Sequence, residues 1–111
     1  MQITLPYPPT TNHLYTIARG RKILSAKGRD YKAEVAKLCQ IARIRPLEGN
    51  VSVSFTAYRP RKSGDLDNLQ KSVFDSLKGY AWHDDKQIIE IHAYRSDDKM
   101  NPRVEVTVTN A

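Results

Sequence analysis

The sequence predicts an α+β domain, a mixed β-sheet with two helices packed mainly on one of its faces. Three observations predict it. Val51, Val53 and Phe55 alternate with Ser52, Ser54 and Thr56, the period of a half-buried strand. Residues 31–42 and 66–77 repeat apolar side chains every three to four positions, as amphipathic helices do. A chain of 111 residues, 40% apolar and 27% charged, suffices for one modest core and is too apolar to be disordered.

Each element follows in order. Ile3 and Leu5 lie between polar residues and predict a short first strand, after which Pro6, Pro8 and Pro9 hold the chain extended. Residues 15–17 and 22–24 predict a hairpin around Ala18-Arg19-Gly20-Arg21, with glycine in the turn and a basic tip. Ser25 is placed to cap a helix reaching residue 44, buried along Tyr31, Val35, Leu38 and Ala42, and stopped by Pro46 and Gly49. The strand at 51–56 leads into the basic loop Arg59-Pro60-Arg61-Lys62-Ser63-Gly64. A second helix is expected over residues 68–78, its apolar face marked by Leu66, Leu69, Val73 and Leu77 and its end by Gly79. Two strands, near residues 87–94 and 103–109, flank a polar turn at 96–102. With no internal repeat or linker, residues 1–111 read as one domain.

Charge and cysteine usage narrow the function. Eighteen Lys and Arg against 12 Asp and Glu give a net charge of +6, which favours polyphosphate partners through counterion release. The positive charge is uneven: Arg19, Arg21, Lys22, Lys27 and Arg29 fall together, as do Arg59, Arg61 and Lys62. Cys39 is the one cysteine, so neither an intrachain disulfide nor a thiolate zinc site is available, and its place in a helical pattern reads as a small buried hydrophobe. Residues 1–5 lack the features of a signal peptide, and no apolar run approaches membrane-spanning length. The expected location is cytoplasmic.

The chemistry concentrates in Gly64-Asp65-Leu66-Asp67-Asn68-Leu69-Gln70-Lys71 and in Trp82-His83-Asp84-Asp85. Leu66 opens the apolar face, so Asp65 and Asp67 flank a buried anchor at the mouth of the helix. Two or three convergent carboxylates suit Mg2+, a hard cation that prefers oxygen ligands. Phosphodiester hydrolysis uses such an ion to polarise the phosphate and orient an attacking water. Lys71 stands one turn after Asp67 on the same flank, where an ammonium can steady charge developing on phosphate. Asp84 and Asp85 are placed to supply a third carboxylate; in an extended chain their side chains point to opposite sides, so only one of them faces Asp65 and Asp67. Acidic residues on a basic, DNA-facing surface oppose binding unless a cation bridges them to phosphate.

Plainer readings of the same residues exist. Asp67 followed by Gln70 has capping-box spacing, and Lys71 reads equally as a surface lysine. Trp82 reads as core or interface as readily as a base-stacking platform. His83 lacks a second histidine at ligand spacing, which argues against zinc or histidine catalysis.

Four segments together resemble the RusA-type Holliday junction resolvases, small endodeoxyribonucleases of bacteria and their prophages. They are Leu5-Pro6-Tyr7-Pro8-Pro9-Thr10-Thr11-Asn12, Leu24-Ser25-Ala26-Lys27-Gly28-Arg29-Asp30-Tyr31, the run from Asp65 to Lys71 continued by Phe74-Asp75 and Leu77, and finally Trp82, Asp84 and Asp85. The resemblance spans residues 3–108 and is most specific in the third segment. It implies an α+β homodimer that cleaves four-way DNA junctions with Mg2+. Carried over by position, Asp65, Asp67 and Asp85 are the metal-binding, catalytic carboxylates, and Lys71 is a catalytic or phosphate-positioning lysine. Arg19, Arg21, Lys22, Arg59, Arg61 and Lys62 are the candidate DNA contacts. Similar proteins often carry an arginine directly before the first aspartate, where this chain has Ser63-Gly64. Either Arg61 or Lys62 reaches the phosphate instead, or junction affinity is weaker.

Two rivals compete. Asp84-Asp85-Lys86 and Asp97-Asp98-Lys99 each match half of a restriction-type nuclease site. Alternatively, the carboxylates serve only as caps, and the protein is a non-catalytic module that binds branched DNA.

Overall fold

The chain, seen in a computed structural model that describes residues 1–9, 15–61 and 66–111, builds one four-stranded sheet in the order β1-β6-β4-β5. Its strands are β1 (Gln2–Pro6), β4 (Val51–Arg59), β5 (Ile88–Asp97) and β6 (Arg103–Asn110). A separate hairpin is formed by β2 (Tyr15–Ala18) and β3 (Arg21–Leu24). The helices are α1 (Ala26–Ile41) and α2 (Leu66–Leu77). β6 runs antiparallel to both β1 and β4, whereas β5 runs parallel to β4. A parallel pair cannot be closed by a hairpin, so the chain crosses over through α2.

The register explains the two-layer packing. Val53 faces Val108, Phe55 faces Val106 and Ala57 faces Val104, while Ile3 and Leu5 lie across from Val106 and Val104. Directly opposed residues share a face, so these side chains form one apolar surface, and all are buried. Both helices cover that surface, α1 through Tyr31, Val35 and Cys39, and α2 through Leu69, Val73, Phe74 and Leu77. The opposite face, carrying Ser52, Ser54, Thr56 and Tyr58, stays partly exposed. The predicted alternation holds and extends three residues further, from Ala57 to Arg59.

Local chemistry sets the boundaries. The hairpin turns on two residues, Arg19 and Gly20, with φ of 53° and 75°, the left-handed pair a tight two-residue turn requires. Ser25 caps α1 by accepting the Gly28 N–H at 3.1 Å, as predicted. That helix stops three residues before the expected end, because Arg43 adopts φ 55° and breaks the ladder ahead of Pro46. Its buried face shifts accordingly: Cys39 is buried and Ala42 is exposed. Tyr31 ties α1 to β1 by donating its hydroxyl proton to the Pro6 carbonyl at 2.8 Å, and burial pushes its pKa up. Two buried serines on α2 satisfy themselves within the helix, Ser72 on the Asn68 carbonyl and Ser76 on that of Ser72.

Candidate active site

α2 begins at Leu66, two residues earlier than expected, so Asp67 lies inside the first turn rather than at the cap. A carboxylate there is favoured by the helix dipole. Asp67 and Lys71 are both exposed, one turn apart on the same flank. Asp65 and Lys62 fall outside the described residues, as do Thr10, Thr11, Asn12, Ser63 and Gly64 of the motifs above, and the side chain of Lys22 does too.

The turn before β5 departs from the extended chain that an alternation of Asp84 and Asp85 assumes. Residues Asp85–Gln87 form one 3-10 turn, and Asp84 is its N-cap. The Asp84 carboxylate accepts the Lys86 N–H at 3.0 Å. That bond, aided by the nearby charges of Lys78 and Lys86, holds the Asp84 carboxyl below its usual range. Gln87 completes the capping box, accepting the backbone N–H groups of His83 and Asp84 and donating to the carbonyls of Leu47 and Gly49. Nothing in the sequence pattern singled out Gln87; its spacing of three from Asp84 was the available signal. Asp85 is exposed and accepts the indole N–H of buried Trp82 at 2.8 Å. The two adjacent aspartates are thus separated by conformation: one caps the backbone, the other presents a carboxylate at the surface. His83, also exposed, meets Glu48 at 2.8 Å.

Topology places these groups at opposite ends of α2. The helix begins past the end of β4 at Arg59 and runs back to where β5 starts, beside Val51. From Asp67 to Leu77 is roughly 15 Å of helix at the standard rise per residue. Asp85 lies beyond Leu77, on the turn anchored by the Lys78–Trp82 bridge. Along the chain, the length of α2 thus separates Asp67 from the turn that carries Asp85. Among the described residues of one chain, no group of three His, Cys, Asp or Glu side chains converges as a metal cage. The donor chemistry of Asp67 and Asp85 fits Mg2+, and Asp65, the third carboxylate of the set, lies outside the described residues.

The candidate DNA contacts divide in the same way. Arg19 and Arg21 are exposed at the hairpin tip, and Arg61 is exposed after β4. Arg59 is instead buried, its guanidinium paired with Asp97 at 3.0 Å, which commits it to joining the ends of β4 and β5. The Asp97-Asp98-Lys99 alternative also loses its acids to structure. Asp98 pairs with Arg103 at 2.8 Å and accepts the N–H groups of Met100 and Asn101, and these bonds, Arg103 foremost, lower its pKa. Cys39 is fully buried and its thiol is pushed up by that burial, as expected for a packing residue. No helix among the described residues is long and apolar enough to cross a membrane.

Comparison with known proteins places this arrangement. The family described as Endodeoxyribonuclease RusA matches residues 6–109. The crossover junction endodeoxyribonuclease RusA of Escherichia coli K12 is 37% identical over 110 residues, covering 96% of this chain and 92% of the relative. Proteins of the same name from Shigella sonnei and Enterobacteria phage 82 are each 36% identical with the same coverage. The match takes in both the carboxylate-bearing start of α2 and the turn before β5, and on it the chain belongs to the RusA endodeoxyribonuclease family.

Proposed function

We propose that the chain acts as a homodimeric, Mg2+-dependent Holliday junction resolvase that nicks paired strands of four-way DNA. The activity class, an endodeoxyribonuclease acting at crossover junctions, follows from family membership. The observation that carries the reading is the near full-length relation to such enzymes, spanning every proposed site residue. The proposed metal ligands are Asp65, Asp67 and Asp85, and Lys71 is the proposed cation beside them. A bound magnesium ion supplies Lewis acidity at the scissile phosphate. Lys71 adds a positive charge where the transition state gains negative charge. The bacterial cytoplasm, reducing and DNA-bearing, is the proposed location.

Two observations support the dimer. Asp67 stands in the first turn of α2 and Asp85 follows the end of that helix, a separation that a second chain can bridge. β5 is an edge strand of ten residues, with Ile89, Ile91 and Tyr94 about half exposed along it. Long apolar edges invite strand pairing. Antiparallel pairing of two β5 strands about a two-fold axis sets the start of one beside the end of the other. Asp85 of the partner subunit then approaches the end of β4, where α2 starts with Asp67 and Lys71. Two equivalent sites result, matching two nicks.

The deciding experiment is cleavage of a synthetic four-way junction with and without magnesium. Paired nicks that depend on the ion are expected. A protein that binds the junction equally in both conditions and never cuts is a binding module instead.

Two further outcomes are expected. Lys71→Ala slows single-turnover cleavage by roughly a hundredfold while weakening junction binding only slightly, because its partner charge appears mainly in the transition state. A proportional fall in both makes Lys71 a binding residue. Replacing Arg61 and Lys62 by alanine lowers the salt slope of log K by roughly 1–2 per protomer, if each contacts one phosphate. An unchanged slope in a filter-binding series removes that loop from the DNA surface.

A further inference from the structure

Trp82 is the one tryptophan of the chain and is wholly buried. Its single polar atom, Nε1, donates to Asp85 Oδ1 at 2.8 Å. The indole packs edge-on against Phe74 of α2 at 5.4 Å between centroids, and Phe74 meets Phe55 of β4 the same way at 5.9 Å. The exposed carboxylate of Asp85 therefore stands on a column of three rings rooted in the core.

The backbone of this turn does not depend on the indole. Gln87 ties it to Leu47 and Gly49, and Asp84 caps it. What the indole adds is control of the carboxylate itself. With Oδ1 held by a wholly buried donor, rotation of the Asp85 side chain is restricted, and Oδ2 is the other oxygen of an exposed carboxylate. A hydrogen bond to a charged acceptor is stronger than one between neutral groups. A buried indole N–H needs some acceptor, yet a backbone carbonyl would satisfy it equally; here the acceptor is the proposed metal ligand.

We propose that Trp82 is a positioning residue, which fixes Asp85 so that Oδ2 is the oxygen offered to the divalent cation. The inference rests on the reading of Asp85 as a ligand. Hydrogen-bond partners of ligating carboxylates orient them, and their loss typically weakens metal affinity or activity by about 10–100-fold.

Because Trp82 is the sole tryptophan, its emission reports directly on the Asp85 contact. Titrating Mg2+ into the wild-type protein without DNA is expected to give a saturable emission change, absent in Asp85→Asn. A protein that cuts junctions with Mg2+ while its emission ignores the ion overturns the inference and leaves the function standing. A protein that does not cut at all overturns the reading beneath it. In a second arm, Trp82→Phe keeps a ring against Phe74 but removes the donor. The Mg2+ concentration for half-maximal cleavage should rise by about 10–100-fold, with the rate recovered at saturating ion. Phe74→Leu disturbs the same column without touching the donor, so it should lower the thermal midpoint and leave half-saturation unchanged. Equal shifts of half-saturation in both variants reduce Trp82 to packing and overturn the proposal.

Discussion

Asp85→Asn is expected to abolish Mg2+-dependent cleavage while junction binding stays intact or tightens. The substitution keeps the shape and still offers the indole an oxygen, so the turn before β5 should hold. It removes the negative charge that a hard cation requires. Loss of a ligand should exceed the roughly hundredfold cost of losing an outer hydrogen-bond partner. Binding should not suffer, because a carboxylate on a phosphate-facing surface repels DNA when no ion bridges the two. Asp84→Asn is the informative neighbour. Its carboxylate is engaged in capping the 3-10 turn, and asparagine caps about as well as aspartate, so cleavage should change only mildly. Single-turnover cleavage of both variants, with binding measured in calcium, decides the matter. An active Asp85→Asn protein overturns the assignment, and inactivity of Asp84→Asn alone moves the ligand by one residue.

How much of this was legible beforehand depends on the range of the interaction concerned. The β4 alternation, the Ser25 cap and the apolar face of α2 are fixed within a few residues by side-chain period and capping chemistry, and they were readable. Element ends were less so, because Arg43 ends α1 in a left-handed conformation that no glycine announced. The pairing of Asp84 and Asp85 with different roles was foreseen, but from an extended chain; the turn that separates them depends on Gln87 reaching Leu47 and Gly49, forty and thirty-eight residues away. Arg59 illustrates the same limit. In sequence it opens a basic loop, yet the strand alternation turns its side chain inward and β5 brings Asp97 to meet it. The parallel placement of β5 against β4 was likewise invisible to local period; it lets the chain start β5 directly after α2, so that the whole helix lies between Asp67 and the turn that carries Asp85.

That separation leads to the second large effect, complementation between two inactive proteins. Asp67→Asn and Asp85→Asn should each be inactive as pure homodimers. If Asp67 of one chain works with Asp85 of the other, a mixed dimer places both substitutions in one site and leaves the second site wholly native. Random exchange makes half of the dimers mixed, so about a quarter of all sites should be intact. Mixing the two dead proteins and allowing subunits to exchange should therefore restore cleavage from nothing measurable to roughly a quarter of the wild-type nicking rate. The product should also change in kind. One native site per dimer yields a single nick and not the paired nicks that separate a junction, so nicked four-way DNA should accumulate on a native gel. If each chain instead builds its own site, every site in the mixture carries one substitution and no activity returns. A mixture that stays inactive after exchange, verified by a tagged subunit captured with an untagged one, rules out the shared site.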